Sequence, residues 1–324
     1  MKKYLKIFFD PFILIFGLFS FLFSKKNNQS THHSFITIYC ITSGFISFLL
    51  SQVISFFEKP KLIKNSKYID NIDKILNKNG YSVLGEKYYK DNLEKLIELQ
   101  NKIKCYARSD EKKEKNFFKD HIVQFPTYSY SEKDLLSEEC VLKTITDPVF
   151  LEIAKKYLNT NPVLTSVNMW WSTNYLKKAD SEAAQMFHFD LDRIKWLKFF
   201  IYLTDVNINS GPHIYVSGTH KPFSKPYKFM LRGYKRILDE EINNSYKQSR
   251  INTICGDKGT IIIGDTSCYH KGLPPLNGNR LIFEFELSNS SFGGVDYEKN
   301  FILKNNENFL KYKKLYPNIF KCYE

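Results

Sequence analysis

At 324 residues the chain is long enough to bury a sizeable core in one large domain carrying an appendage. Its formal net charge of +13 comes mostly from lysines spread along the chain. No zinc-finger, RNA-recognition or basic-helix pattern gathers them into one face, so nucleic acid is excluded as a partner and an anionic membrane surface is the better reading.

The six cysteines (Cys40, Cys105, Cys140, Cys255, Cys268, Cys322) show no Cys-x-x-Cys spacing. That excludes a disulfide framework or zinc site and fits a reducing compartment.

Two apolar runs open the chain. Ile7–Phe23 is apolar apart from Asp10 and Pro11, and Phe35–Phe57 carries no charge. At about 1.5 Å per residue the second run is long enough to cross a ~30 Å hydrocarbon core, and the first just crosses it. Lys2, Lys3 and Lys6 precede the first run, Lys59, Lys61, Lys64 and Lys67 follow the second, and only Lys25 and Lys26 lie between. The positive-inside rule then predicts a transmembrane helical hairpin over residues 1–60, with both ends and the remaining domain, residues 61–324, in the cytoplasm. No small-x-small cleavage site precedes Lys25, which favours an uncleaved anchor. His32 and His33 lie in the short connection with no third ligand near, and are not read as a metal site.

Beyond the anchor, Tyr68–Asn79 has apolar residues at helical spacing (Ile69, Ile72, Ile75, Leu76) and stops at Gly80. Tyr81–Leu84 reads as a short strand, and Asp91–Tyr106 as a second amphipathic helix. Asp110–Lys119 is a charge run, read as a solvated loop or helix face. Glu138–Leu158 reads as helices broken near Asp147-Pro148. Ser166–Tyr175 is strand-like. Alternation places Asn168, Trp170, Ser172 and Asn174 on one face and Met169, Trp171 and Thr173 on the other, one of the two sets lining a cavity.

The chemistry concentrates further on. His188 and Asp190 are two apart, so an extended segment points both side chains the same way. Strand-like runs at Phe199–Val206 and His213–Val216 follow, separated by a Gly-Pro turn. His270 supplies a third candidate ligand and Arg280 opens another strand. Two imidazoles and a carboxylate form the facial triad of a non-haem Fe(II) oxygenase, with coordination positions left open. A guanidinium nearby suits capture of a carboxylate-bearing cosubstrate. A lone His-x-Asp is a weak signal, and a surface pair or a histidine satisfied by a carboxylate gives the same pattern. His213 and His220 read as structural. Asp192 and Arg193 are read as partners of each other.

The surrounding motifs carry more. Gln185-x-x-His188-x-Asp190, the strand KFFIYLTDV, Asn209-Ser210-Gly211-Pro212, Val216-Ser217-Gly218-Thr219-His220-Lys221, Gly264-Asp265-Thr266 leading into His270-Lys271-Gly272, and Arg280 occur in order. In this the chain resembles the phytanoyl-CoA dioxygenase family, over roughly Tyr68 to Asn289. The resemblance implies a mainly β fold, a double-stranded β-helix (jelly-roll) core with flanking helices. It implies Fe(II) held by His188, Asp190 and His270, with 2-oxoglutarate and O2 as cosubstrates and Arg280 on the distal carboxylate of 2-oxoglutarate. Asn174 matches a position that helps hold 2-oxoglutarate in some members, and Tyr202 and Trp171 fall near other cosubstrate contacts. Asp190 stands where a halogenating branch has a small residue, which favours hydroxylation of a lipid or other small organic substrate. The segment from Phe223 to Arg250 interrupts the strands and is placed as a lid or substrate-recognition element, its Lys225, Lys228, Arg232, Lys235 and Arg236 suited to an anion. The rival reading is a membrane-anchored scaffold with an inactive jelly roll. Intact His188, Asp190, His270 and Arg280 argue against it. A membrane lipid desaturase would need several His-rich boxes, which are absent.

Overall fold

The computed structural model describes residues 29–60, 66–85, 90–175, 184–293 and 306–323, apart from 113, 192 and 234, together with positions 10–12, 15, 17 and 303. The expected first span, 7–23, lies almost wholly outside the described residues, as does Asp192.

The uncharged run Phe35–Phe57 does not form one span. It is divided between α1 (Gln29–Ile41) and α2 (Phe45–Phe57), bent 118° from each other, and no single helix among the described residues is long and apolar enough to cross a membrane; the bent pair passes that test together, by length and composition only. The break is local chemistry. Ser43 and Gly44 take left-handed φ values of 50° and 83°, and Gly44 begins α2, where the missing Cβ removes the penalty of that conformation. α1 joins the protein core. Phe35 meets Phe292 edge to face at 5.7 Å, and Tyr39 stacks on Phe189 at 6.1 Å.

Helix α3 (Lys67–Asn79) ends where expected, at Gly80 in the left-handed conformation, and β1 (Tyr81–Leu84) follows. Helix α4 (Lys90–Lys102) is shorter than its periodicity suggests. Cys105–Ala107 is instead strand β2, paired with Tyr130, Ser129 and Tyr128 of β3 (Thr127–Tyr130); tertiary pairing overrides helical propensity there. After the short α5 (Glu132–Leu136), α6 (Glu139–Ile145) and α7 (Pro148–Leu158) are separated by Asp147, whose carboxylate accepts from the Val149 and Phe150 N–H groups. Asp147 as N-cap with Pro148 just inside starts a new helix rather than continuing the old one.

Then come β4 (Val163–Ser172), β5 (Trp196–Tyr202), β6 (His213–Val216), the short helices α8 (Tyr227–Met230) and α9 (Asp239–Ser245), and β7 (Ile251–Ile254). The strands β8 (Ile261–Gly264), β9 (His270–Gly272) and β10 (Arg280–Ser288), and α10 (Glu307–Leu315), complete the chain. A seven-stranded sheet runs β1-β8-β5-β10-β4-β3-β2, facing a three-stranded sheet β7-β6-β9. Every pairing among the described residues is antiparallel, giving a mainly β, jelly-roll-like core with helices outside.

Strand alternation sorts the two faces of the large sheet. Leu197, Phe199, Ile201, Leu281, Phe283, Phe285 and Leu287 pack outward against the helices, with Phe199 and Phe285 stacked at 4.7 Å. Phe200, Tyr202, Ile262 and Ile282 point inward and meet Tyr215 and Ile254 of the small sheet. The inner face then turns polar towards one end, through Asn168, Lys198, Glu284 and Glu286.

Candidate metal centre

The segments bearing the two histidines pair with each other. His188 N–H donates to the His270 carbonyl at 3.1 Å, His270 N–H to the His188 carbonyl at 2.9 Å, and Asp190 N–H to the Thr266 carbonyl at 2.8 Å. This backbone pairing brings residues some eighty positions apart into one cluster. All three side chains are buried, and one ligand atom from each lies within 4.8 Å of the other two. His188 Nε2 is 3.6 Å from Asp190 Oδ1 and His270 Nε2 is 3.9 Å from Oδ2.

The imidazoles are set for coordination. His188 Nδ1 lies 2.9 Å from the Met186 carbonyl and His270 Nδ1 lies 3.0 Å from the Cys268 carbonyl. A carbonyl only accepts, so each Nδ1 carries the proton and each Nε2 lone pair faces the carboxylate. Burial pulls His188 down to about 3 and also lowers His270, so both rings are neutral. Burial is the largest single influence on the Asp190 carboxyl and pushes it up, but the Lys198 ammonium and its hydrogen bond, together with His270 and His188, outweigh it and hold the group well below the carboxylate range. Two neutral imidazoles and one carboxylate suit Fe(II).

Lys198 was not singled out in the sequence. It lies on β5, facing inward with Phe200 and Tyr202, and its Nζ is 2.9 Å from Asp190 Oδ2 and 3.7 Å from Glu286 Oε2. Glu286 in turn accepts from Thr165 Oγ1 at 2.6 Å and from Arg193 Nε at 3.0 Å; Arg193 therefore pairs with Glu286. The lysine fixes one carboxylate oxygen and leaves the other towards His188, which is how an outer partner orients a metal-binding carboxylate. Alternation groups Lys198 with Phe200 and Tyr202 but does not say which face is inside; packing against the small sheet does. Lys198→Met is expected to lower Fe(II) affinity by ~10–100-fold, measured by equilibrium titration of the metal.

Arg280 begins β10 with its side chain 3% exposed. Its Nη2 donates to Ser172 Oγ at 3.0 Å, while Nε and Nη1 are buried with no partner among the described residues. Burial lowers the guanidinium to about 10. A buried cation with two idle donors is costly unless an anion completes it, and a carboxylate is the anion that makes strong charge-assisted bonds to a guanidinium. Gly272 leaves the room for this. A Cβ there would stand 3.3 Å from Arg280 Nη2. The residues present therefore fit both Fe(II) and a 2-oxo diacid.

The other expectations divide. Ser172, rather than Asn174, is the β4 residue that reaches Arg280. Asn174 is exposed past the strand end, its backbone N–H donating to Asn279 Oδ1 at 3.3 Å. Trp171 points outward into the core, stacked on Phe118 at 4.2 Å and donating Nε1–H to Tyr130 Oη at 3.1 Å, so it is no cosubstrate contact. Tyr202 does face inward, donating to the Ile254 carbonyl at 2.9 Å beside His213, whose Nδ1 is 3.3 Å from the phenol oxygen. His213 is thus satisfied in the inner core, and burial holds it well below its ordinary value. His220 is structural, with its Nδ1 3.6 Å from Cys268 Sγ under the Gly80 turn. The insertion reaches the site through Ile237, whose N–H donates to the Phe187 carbonyl at 2.8 Å.

Glu284 also emerges only from the structure. Its Oε2 accepts from Asn168 Nδ2 at 3.2 Å, while Oε1 is buried without a partner. Burial, opposed by Lys198, pushes this carboxyl up to about 7 from 4.5. Above that value the folded chain holds a buried carboxylate. The penalty builds as pH rises from the unfolded value, 4.5, to the folded one near 7, because across that window the unfolded chain ionises while the folded chain keeps its proton. Glu284→Gln is expected to stabilise the chain by about 1–3 kcal/mol at about pH 8 and hardly at all near pH ~4, below both values, read by denaturant unfolding at both pH values.

No curated protein matches by sequence. Among solved structures, the chain is similar to the non-haem α-ketoglutarate-dependent epimerase SnoN from nogalamycin biosynthesis, at 11% identity over 68% of this chain and 80% of that one, TM-score 0.47. It is also similar to HygX from Streptomyces hygroscopicus with nickel and 2-oxoglutarate bound, at 12% identity over 67% and 86%, TM-score 0.49. A third is AviO1 from Streptomyces viridochromogenes, at 14% identity over 69% and 96%, TM-score 0.44. The model of the phytanoyl-CoA dioxygenase family matches residues 76–279, which takes in all three candidate ligands and stops one residue short of Arg280. With the triad assembled and the buried guanidinium beside it, the chain belongs to the phytanoyl-CoA dioxygenase family and is an Fe(II)- and 2-oxoglutarate-dependent oxygenase.

Proposed function

We propose that this oxygenase hydroxylates a lipid or lipid-like small molecule at a membrane, with its catalytic domain on the cytoplasmic side. The observation that carries the chemistry is the joining of His188, Asp190 and His270 in one buried cluster, with two idle donors on buried Arg280. Iron bound there, with 2-oxoglutarate as reductant, supplies the activation of O2 as the cosubstrate goes to succinate and CO2. The chain's own residues do the rest. His188 and His270 present their Nε2 lone pairs, Lys198 holds Asp190 in orientation, and Arg280 takes the distal carboxylate of the cosubstrate. The retained carboxylate of Asp190 supports hydroxylation. Attachment to a membrane is supported by the absence of any charged residue from Gln29 to Phe57. Asn168, Lys198 and Glu284 on the inner face favour a substrate whose reacting part is polar.

The test is succinate formation from 2-oxoglutarate by the full chain in detergent with Fe(II), ascorbate and fractionated lipid extracts, beside His188→Ala. Stimulation by a lipid fraction, lost in the variant, is the expected result. Stimulation only by water-soluble fractions would contradict the lipid assignment.

A further inference from the structure

Helix α2 is apolar on the side turned away from the protein as well as on the side towards it, where Ile46, Leu50 and Ile54 pack, partly buried, against the core. Its buried side chains are Ser51 and Ser55. Ser47 Oγ donates to the Ile194 carbonyl and Ser55 Oγ to the Leu158 carbonyl at 3.5 Å. The face turned away from the protein is apolar, with Phe48, Leu49 and Val53 exposed, Phe56 81% exposed and Phe57 78% exposed.

The patch continues onto the insertion. Phe223 is 69% exposed and stacks on Phe45 at 5.9 Å, while its N–H donates to the Ser43 carbonyl at 3.0 Å. Its φ of 60° is a conformation that a bulky residue adopts only under constraint. The strain is spent on holding an aromatic ring outside the fold. Tyr227 and Leu231, also exposed, follow along the same segment.

Charge says what covers this face. Between Lys221 and Arg236 there are six basic residues and no acidic one, and Lys221, Lys228, Arg232 and Lys235 are exposed. An apolar face beside clustered lysine and arginine is the composition of an element lying in the interface of an anionic bilayer. With 13 residues, α2 is about 20 Å long, well short of the ~30 Å needed to cross. It is suited to lie in the plane.

We propose that α2 and the segment from Phe223 to Leu231 form one in-plane docking surface for anionic lipid. This rests on the membrane-attachment reading above and deepens it. The same insertion pairs through Ile237 with Phe187, next to the candidate ligand His188, which links the docking surface to the site.

The experiment is flotation of the full chain with phosphatidylcholine vesicles containing about a quarter phosphatidylglycerol. The chain is expected to float. Phe223→Ser, and Phe48→Ser combined with Phe56→Ser, should each lower the partition coefficient by about ten-fold or more. Lys228→Glu should lower it by about five-fold, an effect that high salt removes. All variants should keep the parent thermal unfolding temperature. A chain that does not float would overturn the docking surface and membrane attachment together. Flotation unchanged by Phe223→Ser and Lys228→Glu would overturn the surface alone and leave attachment to the N-terminal runs. Lipid-free dimers lost in the Phe48→Ser, Phe56→Ser variant, with no lipid binding, would assign the face to a second copy of the chain.

Discussion

Arg280→Met is expected to weaken 2-oxoglutarate binding by about 2–5 kcal/mol, between one and four orders of magnitude, while leaving Fe(II) binding in place. The guanidinium is buried, tied to the protein only through Nη2 and Ser172 Oγ, and has Nε and Nη1 idle. Charge-assisted bonds from these idle donors to a carboxylate are therefore what the folded chain offers and does not otherwise use among the described residues. The same geometry gives an opposite sign for stability. Without cosubstrate the buried, half-satisfied cation is a liability, and a methionine of similar length removes it. The ligand-free variant should be as stable as the parent or more stable, by on the order of 1 kcal/mol. Isothermal titration and denaturant unfolding read the two effects separately. Arg280→Lys should not rescue binding, because an ammonium cannot reproduce the planar fork.

The second large effect is expected at the triad. His270→Ala removes one Nε2 donor from a set of three and should lower Fe(II) affinity by well over ~100-fold, more than the loss of an orienting partner such as Lys198. Succinate formation should fall below detection. His213→Phe is the informative contrast. His213 stacks on Tyr202 at 5.9 Å and faces the same interior, yet it is absent from the cluster of possible ligands. Metal affinity should survive that change within a few-fold while thermal stability drops, since the Tyr202 hydroxyl loses one of its partners. Equal loss of metal in both variants would mean that the histidines act through packing rather than coordination.

Much of this site was legible in the sequence because its geometry is short-range. His188 and Asp190 share a face through the two-residue period of extended chain. The order of motifs around His270 and Arg280 located the remaining pair. Gly80, with its left-handed φ of 84°, and Asp147-Pro148 announced helix ends through local backbone chemistry. What stayed hidden depends on pairing across the sheet. Asn174 and Ser172 have the same parity, so alternation could not say which lies opposite Arg280; the register Arg280 to Ser172 does. Lys198 resembled one more lysine in a lysine-rich chain until β5 placed it against Asp190. Glu284 and Glu286 sit in a strand whose apolar alternation reads as ordinary, and only the second sheet closing over them makes their charge unusual.

The N-terminal region shows the other limit. Hydropathy counts apolar residues in Phe35–Phe57 without regard to direction, and so reads one long span. Two residues with left-handed φ, Ser43 and Gly44, divide it. Their effect is conformational and leaves no mark in a hydropathy average. The two halves then part company, with Phe35 and Tyr39 buried against the barrel and Phe56 and Phe57 turned outward.

The buried cluster is expected to bind iron and 2-oxoglutarate together. Anaerobic titration of the full chain with Fe(II) and then 2-oxoglutarate should produce the visible charge-transfer absorption of a 2-oxo acid chelated to Fe(II), absent in His270→Ala and strongly weakened in Arg280→Met. A folded chain that binds Fe(II) and 2-oxoglutarate no better than His270→Ala does would contradict it.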